Sequence, residues 1–254
     1  MRRVIFNKKG GVGKTSITCN LAAIAASLGR RVLVVDLDPQ ANSTQYLMGE
    51  VEPQESVADF LTQTGGFFTS KRPVSEYIVA TRFEGLSLLP ASAKLQDVEH
   101  QLEQRYKIMD IKKALDAIAS EFDEIYIDTP PALNFYTKSA LISGDSVLIP
   151  FDCDAFSRHS LDTVAEAVAE IRDDHNPELG VGGIIVNNFQ ARAKLPSQLV
   201  AELEEAGYPM LSTRLGNSVK MRESHQTASP LIYSAPKHAL TQQFQALYGE
   251  ISGQ

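Results

Sequence analysis

Lys8-Lys9-Gly10-Gly11-Val12-Gly13-Lys14-Thr15-Ser16 follows the apolar run Val4-Ile5-Phe6 and opens a long helical pattern. Strand, glycine-rich loop and helix in that order are the context a phosphate-binding loop requires. Gly10, Gly11 and Gly13 let the backbone fold tightly around an anion. Successive N–H groups, Val12 included, and the positive end of the following helix then point at phosphate oxygens. Lys14 supplies a point charge for the β- and γ-phosphates, and the Thr15 hydroxyl is placed to ligate Mg²⁺. Ser16 completes the turn into the helix.

Working outward, apolar segments alternate with helical patterns, which predicts an α/β fold: a three-layer, doubly wound, mostly parallel sheet with helices on both faces. Strands are expected near 2–7, 31–36, 86–89, 123–128, 145–150, 181–187 and 209–213. The continuous apolar runs at 32–35 and 146–149 fit strands buried on both faces. Helices are expected over 15–28, 55–63, 95–105, 108–121, 134–143, 157–174, 195–206 and 236–251, with Gly29 and Gly207 as stops. Residues 64–85, with Gly65-Gly66 and Pro73, read as a surface excursion.

The 254 residues, 43% hydrophobic, suffice for one large domain spanning 1–254. No apolar run approaches the ~20 residues that cross a bilayer, and no signal peptide is expected before the first strand. The two cysteines, Cys19 and Cys153, have no paired spacing, which fits a reducing cytosol. A net charge of −7 argues against a surface that is basic throughout but leaves room for a local basic patch.

Two further acidic segments accompany the loop. Val35-Asp36-Leu37-Asp38-Pro39-Gln40 places two carboxylates two residues apart on extended chain, where they point the same way. Ile125-Tyr126-Ile127-Asp128-Thr129-Pro130-Pro131 ends an apolar strand in an acid, as a carboxylate holding Mg²⁺ through water would. Asn187, in Gly183-Ile184-Ile185-Val186-Asn187-Asn188, ends another strand; it either meets a base edge or caps the strand.

K-G-G-V-G-K-T resembles the deviant Walker A loop of the ParA/MinD family of ATPases, and D-x-D-P-Q and D-x-P-P are similar to that family's other motifs. The resemblance covers nearly the whole chain, including Leu86–Ser92 and Ser146–Asp152. It implies a P-loop fold, ATP and Mg²⁺ as cofactors, and Mg-dependent hydrolysis that is slow without a partner. It implies that Lys9, otherwise a surface lysine, reaches a partner subunit's nucleotide in an ATP-state homodimer. By the same resemblance Asp38 orients the attacking water, while Thr15, Asp36 and Asp128 serve the metal. Asn187 matches an asparagine used on adenine, and Leu215-Gly216-Asn217 departs from the family's usual segment near the base.

The small chromosomal members of that family bind DNA without sequence preference and place a cargo, stimulated by a ParB-like adaptor. The resemblance therefore implies a cytoplasmic, nucleoid-associated protein. Arg192, Lys194, Lys220 and Arg222, with Arg214, are the candidate DNA contacts, or else ordinary solvated cations. A MinD-like membrane switch would need a cationic amphipathic C-terminal helix. The face Leu240, Phe244, Leu247, Ile251 has basic neighbours only at its start, so core packing is expected there. A metal-insertion ATPase would need paired cysteines. A low-turnover ATP-binding regulator remains the reading from a different functional class.

Overall fold

The computed structural model describes residues 1–64, 70–153, 157–190 and 192–253. Among these residues eight strands form one sheet: β1 (Arg2–Ile5), β2 (Val32–Asp36), β3 (Val79–Ala80), β4 (Leu86–Leu89), β5 (Glu124–Asp128), β6 (Ser146–Asp152), β7 (Gly180–Phe189) and β8 (Met210–Gly216). Their order across the sheet is β3-β4-β2-β5-β1-β6-β7-β8. Every neighbouring pair is parallel except β3 with β4. From the central β1 the chain first builds one half of the sheet and later the other. The crevice at the carboxyl ends beside β1 is therefore the place where such a sheet receives a ligand.

The helices are α1 (Lys14–Ser27), α2 (Asn42–Met48), α3 (Val57–Thr62), α4 (Lys94–Gln104), α5 (Asp110–Ala117), α6 (Phe135–Ser143), α7 (Ser157–Asp174), α8 (Lys194–Glu205), α9 (Val219–Gln226), α10 (Leu231–Ser234) and α11 (Ala239–Ser252). Strand residues divide between two cores with a period of two, as side chains on a pleated strand must. Val4, Leu33, Val35, Ile125, Ile127, Val147 and Ile149 share one core with α3 to α8. Ile5, Val32, Val34, Tyr126 and Leu148 share the other with α1, α2, α10 and α11.

The expected mostly parallel three-layer sheet is present, and element boundaries shift by a few residues. The short α2, α9 and α10 and the two-residue β3 were not anticipated. The excursion expected over 64–85 is only partly one. Residues 65–69 lie outside the described residues. Beyond them Val74 and Tyr77 are buried, and Val79 and Ala80 pair antiparallel with β4. Leu240, Phe244 and Leu247 of α11 are buried in the second core, as their spacing implied. Among the described residues no helix is long and apolar enough to cross a membrane.

Candidate functional site: a phosphate loop among buried acids

The loop leaves β1 at Asn7, whose side chain pins it. Asn7 Nδ2 donates to the Pro150 carbonyl on β6 at 2.7 Å, and Asn7 Oδ1 accepts from the Lys9 amide at 2.9 Å. Gly13 sits at φ +91° and caps α1. Asn187 Nδ2 donates to the Val12 carbonyl at 2.9 Å. The loop thus lies flush against the end of β7. A Cβ on Gly13 would stand 2.3 Å from Asn187 Nδ2.

Lys14 folds back over the loop and donates to the carbonyls of Asn7 and Lys9, both at 3.1 Å. Burial lowers its pKa, while the charges of Asp128 and Asp38 act to raise it. A buried ammonium held by two neutral carbonyls is suited to receive an anion. Lys8 is exposed, and Lys9 is half-buried at the mouth of the loop.

Adjacent strands bring the acids together. Asp36 and Asp128 end β2 and β5 and are register partners. Asp128 is fully buried; its Oδ2 accepts from Thr15 Oγ1 and from Ser43 Oγ, each at 2.7 Å. Asp36 is also fully buried, and its Oδ2 accepts from the Thr44 amide and hydroxyl, each at 2.8 Å. Burial raises the pKa of both carboxyls, and the charge of Asp128 adds to the effect on Asp36. Asp38 follows β2 and accepts from the Gln40 amide at 2.9 Å, a local turn that fixes its direction.

Lys14, Thr15, Asp36, Asp38 and Asp128, read from three separate segments, therefore converge. Asp36 differs from the other acids in that its bonds go to Thr44 and the Asp38 amide, so it fastens α2 to β2. Three contributors were missed. Asn7 holds the loop; Ser43 shares Asp128 with Thr15; His225 on α9 lies 2.8 Å from Ser16 Oγ through Nε2. Ser43 lay beside the D-x-D-P-Q motif. His225 is 209 residues from Ser16 and carried no sequence signal.

Thr15 Oγ1 and Asp128 form an all-oxygen set of the kind a hard cation prefers. Among the described residues no group of three or more His, Cys, Asp or Glu side chains is placed to cage a metal. A cation here would complete its shell with phosphate oxygens and water, as Mg²⁺ characteristically does. The residues present fit that ion.

Apart from Arg222, the cationic candidates do not line the cleft beside the loop. Arg192 and Lys194 are exposed around the start of α8. Arg214 pairs with Glu204 at 3.4 Å and lies over the Phe189 ring. Lys220 on α9 pairs with Glu223 at 2.6 Å. Arg222, exposed on the same helix, lines a cleft beside the loop together with Asn187. Cys19 is buried against Ser43, and Cys153 is half-buried elsewhere.

A glycine-rich loop at the carboxyl end of the central strand, with acids from the two strands on one side of it, defines a P-loop nucleotide-binding protein. A family model described as an AAA domain matches residues 3–181. The sporulation initiation inhibitor protein Soj of Bacillus subtilis is 32% identical over 236 residues, covering 92% of this chain and 90% of Soj. The chromosome partitioning protein ParA of Myxococcus xanthus is 33% identical over 232 residues, 90% of this chain and 79% of that protein. A crystal structure of cobyrinic acid a,c-diamide synthase from Mycobacterium smegmatis, with bound ATP analog and magnesium, superposes with a TM-score of 0.83 at 24% identity. It covers 97% of this chain and 92% of that one, and it attests the fold. The chain belongs to the ParA/MinD family of ATPases.

Proposed function

We propose that this chain is a Mg²⁺-dependent ATPase, one domain over 1–254, that dimerises around ATP and uses DNA as a non-specific track to segregate or position a cargo. The observation that carries the ATPase reading is the convergence of buried Lys14, the Thr15–Asp128 pair and Asp38 at the carboxyl edge of β1, β2 and β5. Mg²⁺ held here would supply charge neutralisation to the nucleotide's β- and γ-phosphates. Lys14 swings from its carbonyl partners to the same phosphates. Thr15 and Asp128 would hold the ion, with Asp36 bracing the strand end beside them. Asp38 orients the attacking water in line. The loop amides of Gly10 to Ser16 cradle the phosphates, and Asn187 stands at the nucleoside side.

Lys9, half-buried at the loop's mouth, is the residue we assign to a partner subunit's nucleotide in the ATP-state homodimer. Arg192, Lys194 and Lys220 supply sequence-independent phosphate contacts that dimerisation doubles. Relatives named for chromosome partitioning support this reading. On it the protein is cytoplasmic and nucleoid-associated, and an adaptor of the ParB kind carries the cargo and accelerates a slow intrinsic turnover.

Light scattering with nucleotide tests the core of the proposal. Wild type should be monomeric with ADP and cycle through a dimer with ATP, and Asp38→Ala should accumulate the ATP dimer. An Asp38→Ala protein that stays monomeric in saturating ATP would refute both the water-orienting role and the sandwich dimer.

A further inference from the structure

Helix α9 presents two different faces. On one side Lys220 and Glu223 pair at 2.6 Å, each about half exposed. On the other side the helix is fastened to the nucleotide loop. His225 Nε2 lies 2.8 Å from Ser16 Oγ, and its ring stacks on Tyr46 with centroids 4.1 Å apart and planes 11° from parallel. Ser224 is buried against the Tyr46 hydroxyl at 2.8 Å. Asn20 on α1 reaches Met221 Sδ. These contacts fix α9 relative to the loop.

Arg222 falls between the anchors Met221 and His225. It lines a cleft of about 300 Å³ whose other walls include Gly11, Gly13, Asn187 and Asn217. Among the described residues the Arg222 side chain has no hydrogen bond or ion pair, whereas Lys220 and Arg214 each have an acidic partner. The cleft opens from the anion-binding loop, so whatever extends from bound phosphates into it is the nucleoside end of the ligand. A cleft of this size suits a base and ribose. An unpaired guanidinium suits them too. Its plane stacks on a purine face, and its fixed fork of N–H donors matches ribose and ring acceptors.

We propose that Arg222 is a nucleotide-binding residue acting at the nucleoside end of the loop, rather than part of a DNA-facing patch. This rests on the reading of the loop as an ATP site. It divides α9 by function: Arg222 reads the ligand, Met221, Ser224 and His225 anchor the helix, and Lys220 is left for an outer partner.

Calorimetric titration of the full chain with ATP, ADP and inorganic pyrophosphate tests the assignment. Arg222→Ala should weaken ATP and ADP by about tenfold or more, the loss of a hydrogen-bonded charge. Pyrophosphate, which lacks the nucleoside, should bind as in wild type. Arg222→Lys should recover only part of the affinity, because an ammonium keeps the charge without the planar fork. The side chain has no bond to lose, so the melting temperature without ligand should not move. Arg222→Ala affinities within twofold of wild type would overturn the proposal, and so would an equal weakening of pyrophosphate, which would put the contact on the phosphates. Loss of DNA affinity with nucleotide affinity intact would also overturn it. A wild-type protein that binds neither ATP nor ADP would instead sink the nucleotide reading itself.

Discussion

Gly13 meets two demands at once: a backbone at φ +91° and an asparagine amide where its Cβ would be. Only glycine satisfies both, since left-handed backbone is costly for other residues and the Asn187 side chain is held by the Val12 carbonyl. Gly13→Ala should therefore lower stability by about 1–3 kcal/mol and weaken ATP binding by displacing the loop amides. Urea denaturation with parallel ATP titration checks this; an unchanged midpoint and affinity would contradict the close packing described. The role of Gly13 was legible in the sequence, because loop glycines follow from phosphate geometry. Its contact with Asn187, 174 positions along the chain, was not. The sequence left Asn187 as a base contact or a strand cap. The structure adds a third part, a brace against the loop backbone.

At the scale of elements, a buried polar cluster joins β1, β5 and α11 at the end of the sheet away from the site. Arg3 reaches Glu124 at 2.5 Å, Tyr126 and Tyr248 donate their hydroxyls to the same carboxylate at 2.7 and 2.6 Å, and Arg3 also donates to the Ile251 carbonyl. Burial and the neighbouring Glu124 raise both tyrosine pKa values, although Arg3 pulls the other way. The hydroxyls thus remain donors near neutral pH. Glu124→Ala would leave the Arg3 charge buried without its anion and two hydroxyls without an acceptor. A loss of about 3–5 kcal/mol is expected, read as a lower denaturation midpoint. A loss under about 1 kcal/mol would mean that water replaces the carboxylate. Periodicity had already assigned α11 to the core, and the cluster explains how its far end is secured. The short α2 escaped sequence reading because its start is stabilised by Asp36, a residue of another element, bonding the Thr44 amide and hydroxyl. Local patterns do not record a cap supplied from the sheet.

Across the whole molecule, charge is unevenly spread. The chain carries −7, whereas residues 214–237, with Arg222 set aside for the nucleotide cleft, still contain Arg214, Lys220 and Lys237 against Glu223 alone. A phosphate-reading surface needs only such a local excess. With ATP, the protein should bind random-sequence duplex DNA with an affinity that falls steeply with salt, and it should bind weakly with ADP or without nucleotide. Lys220→Ala should weaken binding across all sequences and reduce the log–log salt slope by about 1. A filter-binding salt series measures both. No binding in any nucleotide state would leave the ATP-switched dimer in place and remove DNA as its track.

The sequence by itself determined the sheet architecture and the nucleotide loop. Both are written in local terms: a period-two or continuous apolar run, glycines where backbone must approach an anion, acids at strand ends. It also named the acids that converge at the site, since register in a parallel sheet places the ends of β2 and β5 side by side. Tertiary structure alone decided how those side chains divide their work. Asp36 braces α2 while Asp128 shares its oxygen with Thr15 and Ser43, because bonding partners depend on which loop folds over which strand. It alone decided that α9 lies against the phosphate loop through His225 and turns Arg222 toward the ligand cleft. Those contacts join segments some two hundred residues apart, and only the packing of the second core brings them within bonding distance.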